Sequence, residues 1–164
     1  MSQSKVYYKT TDINNYVHNI IRGIHSDNFR PDYVVGLTRG GLIPAVQISH
    51  YLNIPMNTLK VSLRDEEESE SNLWMAEDAF NGKNILIVDD ICDTGSSFNF
   101  IKTDWQSGCF PNNTEQWDKI WHNNVKFAVC IHNEACNFDV DYSGLDINKV
   151  SDPQWCVFPW ENWW

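Results

Sequence analysis

A chain of 164 residues is sized for one domain with a substantial core, and its formal net charge of −10 excludes the basic face that nucleic-acid binding needs. An anionic substrate stays open, because a local arginine or a metal ion offsets the overall field. The five cysteines (Cys92, Cys109, Cys130, Cys136 and Cys156) are odd in number and lack CxxC or Cys/His ligand spacing, so neither a disulfide framework nor a zinc site is expected. With no bilayer-spanning stretch, and no signal-peptide core in MSQSKVYYKT, the expectation is a reduced, cytoplasmic compartment and no membrane partner.

Apolar residues at Ile13, Tyr16, Val17, Ile20, Ile21 and Ile24 predict a helix over Asp12 to His25, with Thr11 or Asp12 as N-cap. YVVGL then reads as a short buried strand, followed by Thr38-Arg39-Gly40-Gly41 and by LIPAVQISHYL, whose apolar residues recur at helical spacing. NIPMNTLKVSL reads as another strand, which feeds an acidic, aperiodic stretch from Asp65 to Glu70 expected to be a solvated loop. Asn81, Gly82 and Lys83 make a turn before an Ile/Leu/Val strand beginning at Ile85. A helix is expected over Phe98 to Trp105, then an irregular insertion from Gly108 to Asn124 with a short helix over Gln116 to Trp121. VKFAVCIH is a further strand, and QWCVFPW a last strand or hood element. Strands alternating with helices predict an α/β fold: a doubly wound, mainly parallel sheet flanked by helices.

The chemistry concentrates in Ile85 to Ser97, ILIVDDICDTGSS. An apolar strand delivers two adjacent carboxylates, Asp89 and Asp90, and then a loop of small residues, Asp93, Thr94, Gly95, Ser96 and Ser97, at a helix N-terminus. Backbone N–H groups, hydroxyls and the helix dipole together suit a phosphate group. Ionised carboxylates only accept hydrogen bonds, so the acidic pair suits vicinal ribose hydroxyls or a divalent metal. Thr38-Arg39-Gly40-Gly41 is a second strand-to-helix anion site, about fifty residues upstream, and both loops belong at the carboxyl ends of adjacent strands.

ILIVDDICDTGSS closely resembles the signature by which type I phosphoribosyltransferases bind 5-phosphoribosyl 1-pyrophosphate (PRPP), and TRGG resembles their pyrophosphate loop. QWCVFPWE resembles the end of the xanthine-guanine and hypoxanthine enzymes, where a Trp is followed five residues later by Trp and an acid. The resemblance implies one phosphoribosyltransferase domain over 1–164, with a hood built from its N- and C-terminal segments. It implies transfer of the 5-phosphoribosyl group from PRPP to a purine base (guanine, xanthine or hypoxanthine), releasing pyrophosphate, with Mg²⁺ held by Asp89 and Asp90. Asp93 then serves as proton acceptor for the base or as a loop cap, and residues 93–97 hold the 5′-phosphate. Thr38 to Gly41, together with Ser62 and Arg64 of the mobile loop, face the pyrophosphate. Ile91, Trp155 and Cys156 face the base, with Trp155 either stacking on it or serving as plain core. Relatives carry a Lys after the strand corresponding to VKFAVCIH; here the aligned residue is Asn133, which either reads the base edge or shapes a turn. A homodimer or homotetramer is implied as well, with Trp160, Trp163 and Trp164 in the core or at a subunit interface. Another base such as a pyrimidine, and a PRPP-sensing regulator without catalysis, stay open as alternatives.

Overall fold

The computed structural model describes residues 3–61 and 72–161, so Ser62, Arg64, the Asp65–Glu70 stretch, Trp163 and Trp164 lie outside the described residues. Its framework is a five-stranded sheet of β2 (Tyr33–Thr38), β3 (Met56–Lys60), β4 (Ile85–Cys92), β5 (Val125–Asn133) and β6 (Tyr142–Ile147). The strands lie in the order β3-β2-β4-β5-β6, every neighbouring pair parallel. A smaller parallel ribbon joins β1 (Ser4–Tyr7) to β7 (Gln154–Val157), the first and last strands of the chain.

Strand side chains alternate between two faces, and each face has its own core. Val34, Leu86, Val88, Ala128 and Cys130 point into an aliphatic layer with Ile13, Ile20 and Ile24 of α1 (Thr10–Ser26) and Ala45 and Ile48 of α2 (Leu42–Leu52). Val35, Ile87, Phe127 and Val129 point the other way. There they meet α3 (Leu73–Phe80), α4 (Ser96–Gly108) and α5 (Thr114–Ile120) through Met75, Phe98, Trp105 and Trp117. Burial on both faces explains why these strands are unbroken apolar runs. No described helix is long and apolar enough to cross a membrane.

Most predicted elements are present, with α5 at Thr114–Ile120 inside the aromatic insertion. That insertion is core: Trp117 and Trp121 stack at 5.3 Å, and Trp117 Nε1 donates to the Cys109 carbonyl at 2.8 Å. Three elements were not anticipated: β1, α3 and β6. The first helix also begins earlier than predicted. Asp12 is not its N-cap but sits in the first turn, where its carboxylate accepts from the backbone N–H of Lys9 at 2.8 Å. Between β5 and β6, residues 134–141 return to the start of the sheet with no helix, a short crossing for a parallel pair.

Candidate active site

The strand order reverses between β2 and β4, and in an open α/β sheet the crevice outside the carboxyl ends of such strands receives ligands. β2 ends in Thr38, and the Thr38–Arg39 peptide is cis. Arg39 is exposed, and the Gly41 N–H donates to the Leu37 carbonyl at 2.9 Å, closing the turn that starts α2. Gly40 lies against the other loop: a Cβ there would stand 2.0 Å from Asp90 Oδ2. Only a glycine lets TRGG approach the acidic pair this closely.

β4 carries the acidic pair in its second half and opens onto a cleft of about 790 Å³, lined by residues 89–98 and by Val61, Lys149, Trp155, Cys156, Phe158 and Glu161. The backbone N–H of Asp90 donates to Asp89 Oδ1 at 2.8 Å, and that of Ile91 to Asp90 Oδ1 at 2.7 Å. Burial, and after it the neighbouring Asp90 charge, pushes the Asp89 carboxyl well above the usual carboxylate range. Burial raises Asp90 as well, against the pull of its hydrogen bonds. Gly95 turns the chain into α4 with φ +85°, where a Cβ would stand 2.7 Å from Phe138 Cβ. Thr94 Oγ1 and Ser96 Oγ lie 2.8 Å apart at the helix start, with Ser97 also on the cleft wall.

The opposite wall comes from the chain's end. Trp155, on β7, is 45% exposed, and Cys156 and Phe158 line the cleft beside it. Lys149 follows β6; its Nζ lies 3.1 Å from Asp93 Oδ1 and 5.8 Å from the Trp155 ring centroid. Glu161 stands near enough to Asp90 that burial and then that charge raise its carboxyl.

Of the two places expected for Asn133, the base edge and a turn, its contacts fit the turn. Asn133 is 7% exposed and does not line the cleft, because its amide is committed inward. Its Nδ2 donates to the Asp93 carbonyl at 2.9 Å. Its Oδ1 accepts from the backbone N–H of Ala135 at 3.3 Å and of Lys149 at 3.0 Å. A cation does line the cleft, but it is Lys149, after β6, rather than a residue after β5. Lys149 and Glu161 also line the cleft and are not among the residues expected there. Glu161 was legible in the FPWE ending, whereas Lys149 carries no local signal and is identified only by where β6 leaves it.

A phosphoribosyl transferase domain matches residues 5–103, which contain both loops. The chain belongs to the phosphoribosyltransferase family. It is a glycosyltransferase-type enzyme, as the two loop motifs implied. It is 30% identical over 133 residues to the xanthine-guanine phosphoribosyltransferase of Cereibacter sphaeroides, covering 78% of this chain and 68% of that protein. It is 27% identical to the hypoxanthine-guanine phosphoribosyltransferase of Schizosaccharomyces pombe, covering 98% of this chain and 91% of that one. The same fold occurs in the purine phosphoribosyltransferase from Pyrococcus horikoshii, with a TM-score of 0.68 and 24% identity over 98% of this chain and 95% of that one.

Proposed function

We propose that this phosphoribosyltransferase transfers the 5-phosphoribosyl group of PRPP to a 6-oxopurine (hypoxanthine, guanine or xanthine), releasing pyrophosphate and a nucleoside monophosphate. The observation that carries the reading is the slot formed by Trp155, Lys149 and Asp93, with the ammonium 3.1 Å from the carboxylate and 5.8 Å from the ring centroid. A flat heterocycle stacks on an exposed indole, a cation donates to an exocyclic oxygen, and a carboxylate takes a ring proton. The purine names of the relatives agree with this. The β1–β7 ribbon, carrying Trp155, acts as the hood.

The base nitrogen attacks C1 of the ribose as the C1–O bond to pyrophosphate breaks, and the electron pair leaves with pyrophosphate. The proton lost by the base passes to Asp93. Residues 93–97 hold the 5′-phosphate at the start of α4, and Arg39 with the backbone of Gly40 and Gly41 orients the pyrophosphate. Asp89 and Asp90, two hard oxygen donors forced together in a half-buried site, fit Mg²⁺. That ion would neutralise charge on the leaving group.

Initial rates with PRPP and Mg²⁺ for hypoxanthine, guanine, xanthine, adenine, uracil and orotate test the reading. A 6-oxopurine should be the best substrate. Lys149→Met should lower its kcat/KM about tenfold to a hundredfold, the scale of one charged hydrogen bond. Trp155→Ala should weaken base binding by about 1–3 kcal/mol. Uracil or orotate as the best substrate overturns the purine reading.

A further inference from the structure

One group of side chains beside the cleft takes no part in that chemistry. Cys92 ends β4 one residue before Asp93, and the residue is 3% exposed, within the aromatic core layer. In the parallel register its partner on β5 is His132, and the helix-free crossing after β5 brings Cys136 back over both. Cys136 Sγ lies 3.7 Å from Cys92 Sγ and 3.8 Å from His132 Nε2. All three ligand atoms fall within 4.8 Å of one another. The Phe138 carbonyl oxygen stands at 3.0 Å from His132 Nε2 and 3.3 Å from Cys136 Sγ.

We propose that Cys92, His132 and Cys136 form a binding site for one thiophilic divalent cation, of which zinc is the type, with the Phe138 carbonyl at the fourth corner. Metal distances of about 2.3 Å to sulfur and about 2.0–2.1 Å to nitrogen give a zinc tetrahedron edges of about 3.5–3.8 Å. The Cys136–Cys92 and Cys136–His132 separations meet those edges, and the third pair lies within 4.8 Å. Two thiolates and a neutral imidazole cancel the charge of a divalent ion, so the loaded site buries no net charge. The two thiol protons leave to solvent, and no electron is transferred. With Nε2 turned to the ion, the imidazole proton resides on Nδ1, where Asp146 Oδ1 stands 3.6 Å away as a carboxylate behind a metal-binding histidine. The site is chemically separate from the acidic pair, whose oxygens prefer a harder ion. It ties the end of β4, the residue before the Asp93–Ser97 loop, to β5 and to the crossing segment.

The test uses the full chain, freed of metal and kept reduced with a phosphine, in excess Mg²⁺. Zinc titrated against a chromophoric chelator should bind one ion per chain. Cobalt in its place should give a thiolate-to-cobalt charge-transfer band in the near ultraviolet. Cys136→Ser, at the partly exposed position, should weaken zinc at least tenfold to a hundredfold, and Cys109→Ser should leave it unchanged. Zinc should raise the melting temperature of the wild type but not of Cys136→Ser. No zinc binding, a cobalt spectrum without the charge-transfer band, or an unaffected Cys136→Ser overturns the site. If Cys136→Ser fails to fold, the cobalt spectrum of the wild type decides alone. Loss of the zinc site would leave the phosphoribosyl-transfer reading untouched, since that is read from base turnover.

Discussion

Asn133 Oδ1 accepts from the backbone of Lys149 while Nδ2 holds the Asp93 carbonyl, so one buried amide positions both charged groups of the slot. Asn133→Leu keeps the volume and leaves those backbone groups unpaired, at about 1–3 kcal/mol each. Urea unfolding should show that loss of stability, and KM for the base should rise while calorimetric affinity for pyrophosphate holds. A loss confined to pyrophosphate would remove Asn133 from this role. Asp89 is the second residue with a readable consequence. Its carboxyl is held above its ordinary range, so at intermediate pH the folded protein retains a proton that the unfolded chain releases. Stability from this group is therefore present at low pH and falls as pH rises from the ordinary carboxylate range through the raised value. In melts without a divalent ion, Asp89→Asn should match or exceed the wild type at pH 7, with the difference closing toward pH 4. Its turnover should nevertheless fall about tenfold to a hundredfold. A wild type more stable than Asp89→Asn at neutral pH would contradict the burial argument.

The start of α4 depends on a left-handed turn at Gly95 packed against Phe138. Gly95→Ala adds a Cβ where both φ and space oppose it, and should destabilise the protein by about 1–3 kcal/mol in a denaturant titration. Nucleoside monophosphate affinity should weaken with it, because the turn sets the loop's N–H groups. Elements with a strong local period were legible: α1 by its isoleucine stripe, β4 and β5 by their apolar runs. Elements whose reason for existing lies elsewhere in the chain were not. β1 is four largely exposed residues held by β7, and β6 carries a half-buried pattern with no clean alternation. α3 is short, although Met75, Ala76 and Ala79 do share one buried face. The candidate site divides the same way. Residues 89–97 announce themselves by spacing, whereas Lys149 reaches Asp93 only through the register of β6 on β5.

At the scale of the whole molecule, a sheet with an aliphatic layer on one side and an aromatic layer on the other carries a net charge of −10. PRPP, the phosphorylated substrate proposed for it, is itself anionic, so the long-range field opposes its approach and only the local cations favour it. Raising ionic strength from about 20 to about 150 mM shortens the reach of that field. It should leave kcat/KM for PRPP unchanged or modestly higher. A steep fall with salt would mean that a positive field guides the substrate, against the charge distribution described above.

The parallel pairing of Ser4–Tyr7 with Gln154–Val157 sets an order in time. Synthesis runs from the N-terminus, so β1 emerges first and waits for a partner made near the end. Residues 38–41 and 89–97 are made before Asn133 and Phe138, which hold the second of these loops, and all of them before Trp155. The β7 wall of the cleft, which carries Trp155, is therefore the last of its walls to be made, and β1 stays unpaired until it arrives.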